Sequence, residues 1–418
     1  MANRRLILLA NAFPYGSWEP FLETEIQYYE GFDEIHIFSL SVRPEQNETR
    51  REIGRSDVSV HPIRFRAQWW YALNAVRVLF DKNFYRELVE LAKKRTFSLS
   101  RLVTLFIFLS RAHVEAREIR SILRGLRHSD NDSTVIYSYR SAYQPYLAQL
   151  IERSFHGGVV HVARGHRADL YEEHSPRGYL PMRESTLRSL RVFVAIAQDG
   201  KKYLEETVPA LSGRTTVSFL GTFDHGFGPI PREGKPLQVL TCSNVVPIKR
   251  LDRVVEALAN LSDLEVHWTH YGDGPELPKL KAAVKERLGP LTTVSFMGAV
   301  GNAELLRSFE QKPFDVIVNV SASEGIPVSI MEAFSFGVPA IATDVGGVRE
   351  IVDHNINGIL LPSPYKPEDL TAALRRLSGL SPEARRALRV AAREKWEANF
   401  DANTNYSQFA NLLSDICD

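Results

Sequence analysis

Cysteine is scarce: Cys242 and Cys417 are the only two in 418 residues. They stand far apart, with no Cys/His spacing of a zinc site, which excludes a disulfide scaffold and a zinc module and suits a reducing cytosol. No run approaches the roughly 20 consecutive apolar residues that a spanning helix needs. The first ten residues read as a short apolar strand behind Arg4 and Arg5, without the h-region and cleavage site of an export signal, so cytoplasmic residence is expected. An excess of charge of one sign is missing too. Fifty-one Lys and Arg face 50 Asp and Glu, a formal net charge of +1. That balance removes the global electrostatic case for a nucleic-acid binder and makes any anion site local. The loop after the first strand, Ala10–Ile26, lacks GxGxxG, which argues against a nicotinamide-dependent dehydrogenase.

What is present is ordinary globular material: 44% hydrophobic residues, with 25 Gly and 22 Pro spread along the chain. At about 100–200 residues per domain the length implies two or three domains. From Leu237 onward, short β-rich runs alternate with helical periodicity. Strands are expected at Leu237–Ser243, Glu265–Gly272, Thr293–Gly298, Phe314–Ser321, Val338–Thr343 and Gly358–Leu361, each followed by an amphipathic stretch, which is the pattern of a mostly parallel, doubly wound sheet. The first half shows the same grammar at Arg4–Ala10, Glu34–Leu40, Thr134–Ser138, Val159–Val162, Val192–Ala195 and Thr215–Phe219, interrupted by a helical insertion at about 68–127. The expected fold is α/β with two Rossmann-like domains, 1–222 and 235–395. The Gly/Pro-rich stretch Gly221–Pro236 reads as a linker, and an amphipathic segment at 396–418 crosses back to the first domain.

The most informative stretch is SEGIPVSIMEAFSFGVPAIATDVGG, Ser323–Gly347. It follows a strand, turns through Gly325 and enters a helix near Pro327. Glu324 therefore sits at the carboxyl edge of a parallel sheet, where open α/β folds bind ligands. The free N–H groups around Ile326, Val328 and Ser329 offer a phosphate seat, and Glu332 lies further along the helix. One carboxylate before an anion site and one behind it suits a ligand with hydroxyls on both sides of its phosphates, as in a sugar nucleotide. TCSNVVPIKRLD, Thr241–Asp252, places Lys249, Arg250 and Asn244 after the first strand of the second domain. HVARGHRADLYEE, His161–Glu173, puts His166 in a polar cluster with Arg164, Asp169 and Tyr171 after a strand. Gly16 in the first loop permits close backbone approach.

Glu324 and Glu332, with seven residues between them and a Gly-x-Pro turn after the first, resemble the signature of the retaining glycosyltransferases of GT-B fold, the family 4 or group 1 type. Phe334–Val352 and Asn357–Leu361 match that family as well. The resemblance implies two domains facing across a cleft, Glu324 on the donor sugar hydroxyls and Glu332 on the ribose. It implies Lys249 on the donor diphosphate, His166 near the anomeric centre, and no metal. Ser243 and Asn244 depart from it, standing where Gly and Arg are expected; Asn244 is then a polar contact and Arg250 a substitute cation. Gly16 would meet the donor, with Glu19 either an acceptor contact or a plain turn residue. Tyr271–Glu276 resembles the family's Gly-x-Gly-x-Glu turn, and the backbone near Met297 would meet the nucleobase. Asp130-Asn131-Asp132 spells a metal motif but reads as a turn.

The implied donor is a UDP- or GDP-linked hexose, and the implied acceptor a glycan, lipid-linked or other hydroxyl in polysaccharide, cell-surface glycan or glycolipid synthesis. A sugar-nucleotide epimerase and a catalytically silent nucleotide-sugar binder are the rival readings. The insertion's Trp69, Trp70, Tyr71 and Leu102–Leu109 read either as core or as a face for peripheral membrane contact.

Overall fold

In the computed structural model, residues 3–16, 19–46, 49–73, 75–126, 129–232 and 234–417 are described. The chain divides into two units, Met1–Ser218 with Tyr406–Asp418, and Phe219–Asn405.

The first unit is built on β1 (Arg4–Ala10), β2 (Glu34–Val42), β3 (Val58–Arg64), β4 (Ser133–Ser138), β5 (Gly158–Gly165), β6 (Val192–Ala195) and β7 (Thr215–Val217), in the order β3-β2-β1-β4-β5-β6-β7. Every pairing is parallel. Strands buried on both faces read as continuous apolar runs, and Leu6–Ala10 is fully buried. β3 is not among the expected strands. It carries Pro62, which lacks a ladder donor and is tolerated because β3 is the edge of the sheet.

The insertion folds as helices Gln68–Leu73, Lys82–Lys93 and Leu99–Leu123, with a 3₁₀ turn at Ala75–Phe80. Asp81 and Ser98 cap the second and third through bonds from Asn83 N and Arg101 N. Leu105 and Leu109 join the core around Ile7 and Phe38, so the run Leu102–Leu109 is partly core. Tyr71 is buried while Trp69 is exposed. Residues 74 and 127 of the expected insertion lie outside the described residues.

The second unit contains β8 (Leu237–Cys242), β9 (Val266–Tyr271), β10 (Thr292–Gly298), β11 (Val316–Asn319), β12 (Ala340–Thr343) and β13 (Gly358–Leu361), in the order β10-β9-β8-β11-β12-β13. All pairings are again parallel. Helices Leu251–Ala259, Leu277–Arg287, Asn302–Gln311, Val328–Ser335 and Pro367–Ser378 follow successive strands. Val239, Trp268, Val316 and Ile341 pack in one core with Val254 and Leu374. Helix Pro382–Asn399 starts at Ser381, whose side chain accepts from Ala384 N.

Two expectations change here. The stretch Gly221–Pro236 is strapped to the second unit rather than being a free linker: Thr222 N donates to Phe400 O and Gly228 N to Phe336 O, Arg389 donates to Gly228 O at 2.8 Å, and Arg393 pairs with Asp224 at 2.7 Å. The amphipathic tail breaks between helices at Phe400–Asp401, and the part that joins the first unit begins at Tyr406, not at 396. There Phe409 packs on Tyr137 and lies under the Arg164 guanidinium at 4.0 Å from its ring centre. Arg164 and Glu25, both fully buried, form an ion pair.

Candidate active site

In the second sheet β8 and β11 are neighbours although two strands separate them in sequence. Helix-linked strands depart in opposite directions from that point, and the loops at its carboxyl edge form the crevice where doubly wound sheets bind ligands. The loop after β8 carries Asn244, Lys249 and Arg250, and the loop after β11 carries Glu324. The two loops are joined by Ala322 N donating to Ile248 O at 2.8 Å.

Three donors converge on one oxygen of Glu324. Lys249 Nζ lies 2.6 Å from Oε1, Ser321 Oγ donates to it at 2.6 Å, and Asn319 Nδ2 at 3.3 Å. Glu324 is 8% exposed, so its charge is held by this cluster, and Oε2 receives none of the three bonds. The turn is fixed from behind by Gly346, at φ +54°, where a Cβ would stand 2.0 Å from the Glu324 carbonyl oxygen. Glycine is required there by both conformation and space.

Helix Val328–Ser335 starts with Pro327 at its N-cap, and no side chain caps it. Its first backbone acceptor, Pro327 O, takes Ile330 N and Met331 N. Val328 and Ser329, both half-buried, stand in the first turn, where N–H groups have no partner within the helix. Ile326 and Pro327 are buried beneath this start. One turn on, Glu332 is 7% exposed and accepts from Asn302 Nδ2 at 2.5 Å. Burial pushes its carboxyl up to about 7, with the Asn302 bond opposing the shift. Cys242, at the end of β8, feels both groups: burial and then the Glu332 charge push its thiol up to about 12, with Lys249 opposing, so it is a poor nucleophile.

The remaining residues around this loop divide. Asn244 is exposed. Arg250 adopts φ +51° at the N-cap of Leu251–Ala259. Its charge, with that of Arg253, opposes the rise that burial imposes on the Tyr365 hydroxyl. Met297 is 40% exposed at the end of β10, followed by Gly298 at φ +75°. A cavity of about 590 Å³ lies elsewhere in this unit, at the amino end of β11 between Asp315, Phe227 and Arg389. It belongs to the strapped segment and not to the site.

In the first unit His166 follows β5 as the N-cap of a short helix, its N–H donating to Asp169 Oδ1 at 2.7 Å. Asp169 also accepts from Ser141 N at 2.7 Å, which ties the loops after β4 and β5. The imidazole packs against Tyr139 at 4.7 Å. Burial, then Arg140 and Arg164, hold its pKa well below the ordinary value, so the ring is neutral, and its buried Nε2 has no hydrogen-bond partner. Gly16 has φ +63°, and its N–H is committed to Thr49 O at 3.1 Å. Glu19 has a different part from either one expected. Its carboxylate accepts from the N–H groups of Asn11, Ala12 and Phe13 at 3.0–3.1 Å, with Arg140 3.9 Å away. It fills the backbone anion seat of the first loop.

Comparison with known proteins follows this geometry. The family described as Glycosyl transferases group 1 matches residues 227–395. An amylovoran biosynthesis glycosyltransferase, AmsK of Erwinia amylovora, is 29% identical over 186 residues, 43% of this chain and 45% of its own length; the match thus spans less than half of that relative. Among solved structures, sucrose-phosphate synthase from Thermosynechococcus elongatus superposes with a TM-score of 0.69 at 17% identity, covering 99% of each chain. Anabaena Alr3699/HepE in complex with UDP and glucose superposes at 0.66 and 16% identity, covering 99% of this chain and 100% of that one. The whole chain therefore has the two-unit α/β fold of GT-B glycosyltransferases, and residues 227–395 match the glycosyl transferases group 1.

Proposed function

We propose that the protein is a retaining glycosyltransferase that moves a hexose from a nucleotide-diphosphate sugar to an acceptor hydroxyl in polysaccharide, cell-surface glycan or glycolipid synthesis. The observation that carries this reading is the Lys249–Glu324 pair at the β8/β11 crevice, with an uncapped helix start beside it and buried Glu332 behind. A donor diphosphate seated at the helix start takes up the Val328 and Ser329 N–H groups. The Lys249 ammonium, which has three donors, bridges from Glu324 to the phosphate. Negative charge grows on the diphosphate as the sugar leaves, and preorganised donors stabilise that charge most. Glu324 then accepts from sugar hydroxyls through Oε2, and Glu332 from the ribose. His166 offers a neutral ring nitrogen to a substrate hydroxyl. Neutralisation by Lys249 and helix N–H groups performs the task a metal ion performs in other transferases, so we infer a metal-independent reaction. Among the described residues no side chain is placed as a covalent nucleophile, which favours same-face substitution assisted by the leaving phosphate.

UDP-glucose is the first donor to test, because the HepE neighbour is also described in complex with it. The same reading includes a cytoplasmic protein in peripheral contact with the inner face of a membrane. The test is release of free nucleotide diphosphate with and without acceptor, alongside calorimetric binding of the bare nucleotide. Glu324→Ala is expected to abolish transfer while sparing nucleotide diphosphate binding. Isomerised sugar without nucleotide release would make the protein an epimerase. Donor binding with no turnover would make it a silent binder, the outcome favoured by exposed Asn244 at a position where the family has a cation.

A further inference from the structure

Among the described residues, nine of the fifteen exposed large apolar side chains fall between Trp69 and Val103. This segment is also basic: residues 64–103 hold nine Lys or Arg against three Asp or Glu, in a chain whose total is +1. Two of the three acids are engaged away from the outer face, and the third offsets one of its cations. Asp81 accepts from His113 or pairs with it at 2.7 Å, Glu87 accepts from Tyr179 at 2.8 Å, and Glu90 is paired to Lys93 at 2.9 Å.

The geometry of helix Lys82–Lys93 gathers these features on one stripe. At about 100° per residue, Lys82, Tyr85, Arg86, Val89 and Lys93 share an arc of about 100°, and all five are exposed. Phe84 and Leu91 lie on the opposite side and are buried. The stripe is roughly 18 Å long at 1.5 Å per residue. Phe80, 84% exposed, stands at its start, and Phe97 and Leu99, 56% and 74% exposed, stand just past its end. Tyr85 donates to Leu79 O at 2.8 Å, holding the preceding turn against the helix.

We propose that this stripe is the docking surface for a bilayer containing anionic lipid. Cations and large apolar groups alternate within single turns, which suits a helix lying at the headgroup boundary. There the rings and leucines enter the acyl edge while Lys and Arg reach lipid phosphates on their long stems. The charge complementarity selects an anionic surface, and no described helix is long and apolar enough to cross the membrane. The proposal rests on the peripheral-contact part of the function above and not on the transfer chemistry.

Flotation of the full chain with vesicles of phosphatidylcholine, and of phosphatidylcholine mixed with phosphatidylglycerol, tests it. The protein is expected to float with the anionic vesicles only, less so at high salt. The pair Phe80→Ser/Leu99→Ser and the pair Arg86→Glu/Lys93→Glu should each lower partitioning about ten-fold with unfolding temperatures unchanged, since all four side chains are exposed. UDP-glucose binding measured on the same samples without vesicles should be unaffected, and its failure would count against the donor site alone. Failure to float with anionic vesicles, or flotation of both variants equal to the parent, overturns the surface. Concentration-dependent self-association abolished by Phe80→Ser/Leu99→Ser, in a chain that does not float, overturns it in favour of a second copy.

Discussion

Burial pushes the Glu332 carboxyl up to about 7, so the empty site carries a cost that depends on pH. Below the ordinary carboxylate range the group is protonated folded and unfolded alike and costs nothing. As pH rises from the ordinary carboxylate range to 7 the unfolded chain ionises while the folded one keeps its proton, and stability falls by up to about 3 kcal/mol before levelling off. Glu332→Gln should therefore raise the unfolding free energy at pH 8 and leave it unchanged at pH 4, as read by urea melts. The same change should weaken nucleotide diphosphate binding by about 1.5–3 kcal/mol if a charged hydrogen bond to ribose is lost. A ribose hydroxyl that donates to the carboxylate also favours ionisation, so nucleotide binding near pH 6.5 should release a proton, visible as a buffer-dependent heat. A second comparison separates neighbours in sequence. Lys249→Ala removes a donor at 2.6 Å from Glu324 and should cut turnover far more than Arg250→Ala, which leaves that bond in place. Greater damage from the Arg250 change would move the phosphate grip to that residue.

Elements decide how these side chains meet. Lys249 and Glu324 are 75 residues apart, and only the adjacency of β8 and β11 makes them partners. The turn that presents Glu324 leans on Gly346, which begins no strand or helix of its own. Gly346→Ala must both strain a left-handed residue, at about 1 kcal/mol, and move the Glu324 carbonyl. A loss of turnover larger than the loss of thermal stability is expected, with bare nucleotide binding nearly retained. Equal loss of both would make the glycine purely structural. At the end of the chain, Phe409 under Arg164 and Tyr406 beside Tyr28 give the last helix a specific seat, which an amphipathic pattern alone does not identify.

For the molecule as a whole, the second sheet was readable strand by strand, because its strands show as separate β-rich runs between turns, the half-exposed edge β10 included. The first sheet lost its edge: β3 is half exposed and carries Pro62, so no run marks it. The stretch Gly221–Pro236 misled for a related reason. Glycine and proline signal missing helix, not missing contact, and Arg389 and Arg393 pin it through groups far along the chain. At the site, Glu324, Glu332 and Lys249 stood out through motif and setting. Asn319, Ser321 and Asn302, which hold the two carboxylates, carry no spacing signal and became visible only with the loops in place. Glu19 was noticed but misplaced, since its part depends on a loop folding back on its own N–H groups.

That loop bears on how two sheets of like winding divide their labour. Both have a crevice beside their first strand, and a bare backbone seat there would attract phosphate from any abundant metabolite. In the first unit the chain supplies its own anion, Glu19, and closes the seat. In the second the seat is left open. The built-in carboxylate already satisfies the N–H groups of Asn11, Ala12 and Phe13, so an outside anion would have to displace it. Glu19→Ala should uncover it: the variant, destabilised in plain buffer, should regain part of its melting temperature in inorganic sulfate to a greater extent than the parent chain does.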